Sequence, residues 1–507
     1  MAGIVYLVGA GPGDPGLLTV RGRELLATCD AIATDALANP AIVAAALLAN
    51  PGAEVHDVGK RGGDRGSATQ DEINALLVQL GREGKRVVRL KGGDPLVFGR
   101  GSEEAQALAQ AGVPFELVPG VTAGVGAPAY AGIPVTHRGV ATSVTFVTGH
   151  EDPAKPEAQT DWAALARAGG TIVLYMGVKT LPRIADALIA GGMSADTPAA
   201  AVQWGTHAKQ KTVVATLSSL AGAIAREQLA APVITVIGDV VSLRDEIAWF
   251  DRRPLHGRRV VVTRASAQAT GLRDALREMG ADVLELPALR IEPIGDEQLR
   301  GALVRLGEFD WIVFTSQNAV RIMWGAIRTH GQDARAFANA RIACVGRATG
   351  DALLAHGLAP DVVPTRFVAE GVLDAMTSRD DVRGTRVLYV AGEGAREALP
   401  AGLRALGCMV EVVHAYRAVS DGTGADALRG ALATGIVDAV TFASASAVRG
   451  FVEAVGPELA RSAPAVSIGP ITSEAVRAAG IELAAECAEP SVAALADAAR
   501  AFIVSRR

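Results

Sequence analysis

The second half of this 507-residue chain is written twice. RRVVVTRASAQATGLRDALREMGADVLELPALR (258–290) returns as TRVLYVAGEGAREALPAGLRALGCMVEVVHAYR (385–417). WIVFTSQNAVRIM (311–323) returns as AVTFASASAVRGF (439–451), and ACVGRATGDALLAHGL (343–358) as VSIGPITSEAVRAAGI (466–481). Each piece reads as a strand, a turn of small or hydroxyl-bearing residues, then a helix, and the order and separation recur. Two copies of this size make a pair of similar lobes, not a solenoid. Lobes whose turns face one another enclose a cleft, a usual seat for a small ligand.

The first half has a related rhythm without the repeat. IVYLV (4–8), RVVRL (86–90), SVTFVTG (143–149), TIVLYM (171–176) and VITVIG (233–238) read as buried strands. RGRELLATC (21–29), SEEAQALAQAG (102–112) and LPRIADALIAGG (181–192) read as helices ending near glycine. The five strands run into the glycine-containing loops GAGPGDPG, KGGDP, TGH, MG and GD. Ligands of α/β proteins gather at such loops. The pattern breaks at DEIAWFDRRPLHGRR (245–259), before the apolar run VVVT. The chain therefore reads as an α/β domain over 1–250, a linker over 251–257 and a second α/β domain over 258–507.

Half of the residues are hydrophobic, which supplies packed cores and excludes wholesale disorder. With 49 basic and 54 acidic residues the net charge is −5. That argues against a broad basic face for nucleic acid and leaves room for a local basic pocket. Cys29, Cys344, Cys408 and Cys487 are far apart and the eight His are dispersed. Neither a zinc site nor a disulfide scaffold is expected, and no metal. No run approaches the ~18 apolar residues of a membrane span. The start, MAGIVYLVGAGPGD, has no basic stretch ahead of its apolar run. A cytoplasmic protein is expected, with neither membrane nor nucleic acid as partner.

Gly11-Pro12-Gly13-Asp14-Pro15-Gly16 matches GxGxxG between a strand and a helix, and Asp35 stands about twenty residues further on. Two features argue against dinucleotide binding. Pro12 and Pro15 remove backbone N–H donors from the turn that would cradle a pyrophosphate. Asp35 lies in ATDALANPAI, which reads as a turn and helix cap, not the end of a second parallel strand. KGGDPLVFGRG (91–101) is more informative, since paired glycines let backbone approach a ligand and Asp94 can cap the residues after it. PGVTAGVGAPAYAGIPVTHRG (119–139) adds a second loop of small residues with a Thr.

In this order GAGPGDPGLLT, VGKR, RVVRLKGGDPLVFGRG, PGVTAGVGAPAYAGIPVTHRG, VTGH and LYMG resemble the tetrapyrrole C-methyltransferases, above all the uroporphyrinogen-III C-methyltransferases, over about residues 3–250. The resemblance implies a two-lobed methylase fold that binds S-adenosylmethionine and works as a homodimer. It implies two methyl transfers to uroporphyrinogen III, giving precorrin-2 for sirohaem and cobalamin. By motif position it places Pro12, Gly92, Gly93, Asp94, Val97, Thr122, Ala123, Met176 and Gly205 at the cofactor. Asp35 becomes the proton acceptor, and Lys60 the proton donor or a substrate contact. The substrate carries eight carboxylates, so Lys60, Arg61, Arg65 and Arg138 are candidates to face it. Two departures touch substrate positioning: Thr34 and Ala36 flank Asp35 where the family has an aromatic and commonly a basic residue, and Gln203-Trp204 replace an acidic-Asn pair before Gly205-Thr206. No dehydrogenase-chelatase module precedes residue 1, so oxidation and iron insertion are expected to fall to other proteins.

Over about residues 258–505, VVVTR, VFTSQNAV, VGRAT, HAYRAV, VTFASASAV and IGPITSEA resemble the uroporphyrinogen-III synthases. The resemblance implies two duplicated flavodoxin-like α/β lobes joined by crossing strands. Lobe one would hold 258–292 with 419–507, and lobe two 293–418. It implies cyclisation of hydroxymethylbilane with loss of water and inversion of the last ring, through a reactive azafulvene whose conformer the enzyme holds. Tyr416 is the candidate acid for the departing hydroxyl. Ser316, Ser444 and Thr472 are candidate hydroxyls facing the cleft, with Arg264 a carboxylate partner. Together the two resemblances describe a bifunctional enzyme in which one half makes the other's substrate. Two alternatives stay open: a methyltransferase for another substrate such as RNA, and a second half that is a non-catalytic, anion-binding module.

Overall fold

The computed structural model describes residues 3–59, 68–150, 160–263, 266–286, 289–294, 296–337, 340–364, 369–379, 381–395, 397–420 and 425–506. The chain divides into two compact units: Met1–Arg259 with Ala275–Asp282 and Ile503–Arg507, and Val260–Asp274 with Val283–Phe502.

The first unit carries β1 (Ile4–Gly9), β2 (Ala31–Thr34), β3 (Glu54–Asp57), β4 (Arg86–Lys91), β5 (Phe115–Val118), β6 (Val144–Thr148), β7 (Thr171–Tyr175), β8 (Pro198–Gln203), β9 (Lys211–Thr216) and β10 (Val233–Ile237). The first five form a parallel sheet in the order β3-β2-β4-β1-β5. Alternation along β1 explains why helices cover both its faces. Val5 and Leu7 pack with Leu77, Leu80 and Leu108, from the helices Gln70–Arg82 and Gly101–Gln110. Tyr6 and Val8 pack with Leu25, Leu26 and Ile42, from Val20–Leu26 and Pro40–Ala49. Each large apolar side chain buried this way contributes about 1.5–3 kcal/mol. Local chemistry sets the helix ends. Thr69 and Glu72 form a reciprocal capping box, and Asn39 caps a helix whose first residue is Pro40.

The other five strands form a mixed sheet, β6-β7-β10-β8-β9, with only β6 and β7 parallel. One face packs on Leu181, Ile184, Leu188 and Leu220, from the helices Leu181–Ala190 and Leu220–Arg226. The other packs on Ala127, Ala131 and Ile133, in and just after the helix Ala123–Tyr130. The residues read as a linker are packed in place. Leu255 is fully buried, and Gly257 N donates to Ala208 O at 3.1 Å.

The second unit carries β11 (Arg259–Val262), β12 (Asp282–Glu285), β13 (Leu289–Pro293), β14 (Trp311–Phe314), β15 (Arg341–Cys344), β16 (Arg386–Gly392), β17 (Met409–Ser420), β18 (Ala439–Phe442), β19 (Ala465–Ser467) and β20 (Leu483–Glu486). They make two five-stranded sheets, β12-β11-β18-β19-β20 and β13-β17-β16-β14-β15. The repeated segments occupy equivalent places: β11 matches β16, β12 matches β17, β18 matches β14 and β19 matches β15. The crossing point differs slightly from expectation. β13 and β17 pair antiparallel from Leu289↔Ser420 to Pro293↔Tyr416, so 289–292 and 419–420 belong to the second sheet, because the ladder carries both strands past the crossover.

Candidate functional site

The loops after β1 and β4 are stitched together: Gly11 N donates to Gly93 O (3.2 Å) and Gly93 N to Gly11 O (2.8 Å). Only glycine fits so close an approach. A Cβ on Gly9 would lie 2.6 Å from Gly120 Cα, and one on Gly120 would lie 2.4 Å from Gly93 O. Gly93 itself takes φ +68°, a left-handed conformation that costs glycine nothing. Asp94 holds the next turn. Its Oδ1 accepts from Leu96 N at 2.8 Å and its Oδ2 from Gly120 N at 3.0 Å. A predicted cofactor residue thus also ties the 92–96 loop to the 119–122 loop.

The second sheet reaches these loops through Tyr175, the last residue of β7. Its hydroxyl accepts from Gly124 N (2.7 Å) and shares a 2.6 Å hydrogen bond with Thr122 Oγ1. Burial pushes the Tyr175 phenol up, so it stays protonated at neutral pH. Met176 follows at φ +54° with its side chain 55% exposed. Phe98, Arg100, Trp204 and Thr206 also have left-handed backbone, on the loops after β4 and β8. Non-glycine residues held this way store strain, a feature of ligand-binding loops. Gly205 passes so near the helix Ala123–Tyr130 that a Cβ would lie 2.2 Å from Ala127 Cβ, and Pro12 abuts Gly126. Val97 and Ala123 pack against the same apolar cluster. Eight of the nine expected cofactor residues therefore sit on loops, and Ala123 opens the helix Ala123–Tyr130 that these loops meet.

Sequence reasoning missed four residues that hold this arrangement. Asp14 N donates to Thr206 Oγ1 (2.9 Å), and Tyr130 Oη donates to Asp14 Oδ2 (2.7 Å). His207 lies where a Cβ on Gly13 would touch it. Burial, and after it the charge of Lys209, bring the His207 imidazole down to about 4. No sequence signal joins positions about 190 residues apart, although the paired turn residues hinted at two loops under constraint.

Asp35 corrects an expectation. β2 is a second parallel strand, and Asp35 follows directly at its carboxyl end, with Asp35 N donating to Leu90 O (3.2 Å). The strand escaped notice because AIAT is short and half alanine. Asp35 is the outer member of a buried charge cluster. Its Oδ1 accepts from Arg89 Nη2 at 2.6 Å, and Arg89 and Lys91 both reach Glu104 Oε1, at 3.1 and 2.8 Å. Arg89, Lys91 and Glu104 are almost wholly buried, whereas the Asp35 side chain is 27% exposed. Desolvation, then the Arg89 charge, lower the Lys91 pKa, with Glu104 and Asp35 opposing. Two cations and two carboxylates balance, leaving one carboxylate edge open to a ligand. Ala36 closes against Gly59, where a Cβ would lie 2.1 Å from Ala36 N. Arg138 is exposed in the turn closed by the His137–Ala141 bridge. Lys60, Arg61, Arg65 and Arg264 lie outside the described residues.

In the second unit Ser316 and Ser444 occupy matching places as N-caps of the helices Gln317–Thr329 and Ala445–Val455. Ser316 Oγ accepts from Ala319 N (3.1 Å) and lies 2.8 Å from Tyr416 Oη. Ser444 Oγ accepts from Ala447 N (3.2 Å) and lies 3.0 Å from Ser446 Oγ. Both serines thus serve the turn first. Thr472 lies in the first turn of Pro470–Ala478 and is only 4% exposed, because that helix packs on Ala445–Val455, so it presents little free hydroxyl. Among the described residues predicted for this unit, Ser316 and Tyr416 are the pair in direct contact.

The model described as Tetrapyrrole (Corrin/Porphyrin) Methylases matches residues 4–221, and the one described as Uroporphyrinogen-III synthase HemD matches residues 271–497. A porphyrin biosynthesis protein HemD of Ruminiclostridium josui is 36% identical over 480 residues, 94% of this chain and 93% of its own. The chain belongs to the tetrapyrrole methylase and uroporphyrinogen-III synthase families. Its first half is similar to an S-adenosyl-L-methionine-dependent uroporphyrinogen III methyltransferase of Methanosarcina barkeri, 51% identical over 243 residues, 48% of this chain and 94% of that one. It is also similar to a solved uroporphyrin-III C-methyl transferase of Thermus thermophilus, complexed with S-adenyl homocysteine (37% identity, 47% of this chain, 99% of that one, TM-score 0.39).

Proposed function

We propose that this tetrapyrrole methylase–synthase chain catalyses two consecutive reactions. The second half cyclises hydroxymethylbilane to uroporphyrinogen III, and the first half methylates that product twice, giving precorrin-2. The observation that carries the reading is the end-to-end match of one chain to two families whose reactions share an intermediate. The domains take the bounds 1–250 and 258–507, the enzyme is a cytoplasmic homodimer through its methylase half, and neither nucleic acid nor metal takes part.

The methylase cleft suits S-adenosylmethionine. Exposed Leu37 and Leu96 offer apolar surface beside the backbone of 92–94 and the Asp94 carboxylate, and exposed Met176 follows Tyr175, whose hydroxyl meets that of Thr122. That mix matches a ligand with an aromatic base, hydroxyls, an amino acid and a sulfonium. Pro12, Gly92, Gly93, Asp94, Val97, Thr122, Ala123, Met176 and Gly205 would hold it; when bound it supplies an electrophilic methyl group. Orientation is the chain's main contribution. Asp35 takes the proton that each methylated ring gives up, with Arg89 fixing the carboxylate. Lys60 donates a proton or holds a substrate carboxylate, and Arg61 and Arg138 hold further substrate carboxylates. In the second half Tyr416 protonates the departing hydroxyl, and Arg264 and Ser444 meet substrate carboxylates, a role the burial of Thr472 argues against.

The test is to incubate the purified chain anaerobically with hydroxymethylbilane and S-adenosylmethionine and to identify the tetrapyrroles by chromatography and mass. A doubly methylated type III product is expected. Type III product without methylation would overturn the first half's assignment, and type I product alone would overturn the second's.

A further inference from the structure

We infer that Ser316 is a positioning residue for Tyr416, donating its hydroxyl proton to the phenolic oxygen so that the phenol's own proton is free for the leaving group. The inference rests on the synthase reading of the second unit. A serine hydroxyl can accept two hydrogen bonds and donate one. One acceptor place on Ser316 is filled by Ala319 N at 3.1 Å, because Ser316 caps the helix Gln317–Thr329. The Tyr416 oxygen stands 2.8 Å from the same Oγ. Were the phenol the donor, its proton would be spent on the serine and not on the substrate. The serine is also made a strong donor by its surroundings. Accepting from an amide polarises its O–H, and the positive end of a 13-residue helix lies behind it. Both favour the phenolate that forms when Tyr416 gives up its proton.

The tyrosine is held for such a contact. A register shift at Ala391/Gly392 sets Gly392 opposite Tyr416, so close that a Cβ would lie 2.7 Å from the ring. Glu393 N donates to Tyr416 O at 2.7 Å, fixing the backbone beneath. The duplicated lobe shows that capping alone does not require this pairing. Ser444 caps its helix with nearly the same backbone, φ −166° and ψ 158° against −160° and 160°, yet its hydroxyl partner is Ser446. One copy has gained a contact that the other lacks.

In the step served, the carbon–oxygen bond of the hydroxymethyl group breaks with its electron pair on oxygen. The phenolic proton completes water, and the ring nitrogen's lone pair forms the new double bond of the azafulvenium cation, the nitrogen keeping its own proton. Tyr416 recovers a proton when the closed ring loses one and becomes aromatic again.

The test uses full-length Tyr416→Phe, Ser316→Asp, Ser316→Ala, Ser316→Thr and Ser444→Asp, with kcat and KM for type III formation and melting temperatures. Asp still caps a helix but as a carboxylate cannot donate. Ser316→Asp is expected to lower kcat about tenfold or more, with KM changed less than about twofold and a melting temperature like that of Ser444→Asp. Ser316→Thr, which keeps the donor, is expected to recover most of the loss. If Ser316→Asp fails to fold, Ser316→Ala against Ser316→Thr gives the same comparison. A normal kcat in Ser316→Asp, or an equal loss in Ser316→Thr, overturns the inference while a slow Tyr416→Phe keeps the acid assignment. A normal rate in Tyr416→Phe overturns the acid assignment itself.

Discussion

At neutral pH His207 is uncharged in the folded chain, since burial and the nearby Lys209 bring its pKa down to about 4 from the ordinary 6.5. Between those values the unfolded chain binds more protons than the folded one, so stability rises with pH. This contribution is complete above about pH 6.5 and is lost as the pH falls toward 4. Melting temperatures measured from pH 7.5 down to 4.5 should therefore fall more steeply for the natural chain than for His207→Gln. Equal slopes would show that His207 does not carry the effect. Residues of this kind lay outside what the sequence could show. Gly92, Gly93, Asp94 and Thr122 were legible because motif and backbone demand coincide on neighbouring residues. Asp14, Tyr130, Thr206 and His207 acquire their roles only when distant loops meet.

The strand–helix unit β4 to Gly101–Gln110 carries an unusual load: Arg89 and Lys91 from the strand and Glu104 from the helix meet in the interior. Their charges balance only with Asp35 included. Glu104→Gln would leave a net buried cation and should cost about 3–5 kcal/mol, the usual result of removing one partner of a buried pair. Adding Lys91→Met restores the balance, so the double variant should be more stable than Glu104→Gln alone. Urea denaturation of the singles and the double checks this, and additive losses would mean that the groups act independently. The elements legible in sequence were those with long apolar runs, such as β1, β4, β7 and β10. β2, β8 and β9 were missed because AIAT and PAAAVQ are alanine-rich and KTVVAT alternates weakly. Their strand identity comes from pairing with neighbours and not from their own propensity. In the second unit the repeat foretold matching strands, and the structure gives both sheets the same order at four positions.

For the whole molecule, the question is whether the two proposed reactions need to share one chain. Hydroxymethylbilane closes unaided to the wrong isomer, so the synthase must act before release. Uroporphyrinogen III is already cyclic and needs no such protection. Chemistry therefore allows the intermediate to leave one molecule and enter another. Asp35→Asn is expected to disable methyl transfer and yield type III product unmethylated, while Tyr416→Phe slows type III formation. Mixed in equal amounts with hydroxymethylbilane and S-adenosylmethionine, the two proteins should together form doubly methylated type III product, which neither forms efficiently alone. Chromatography and mass of the products decide it. Recovery would establish that fusion puts the two activities on one chain without confining the intermediate. A mixture that accumulates unmethylated type III product, beside a natural chain that does not, would instead require transfer within one chain.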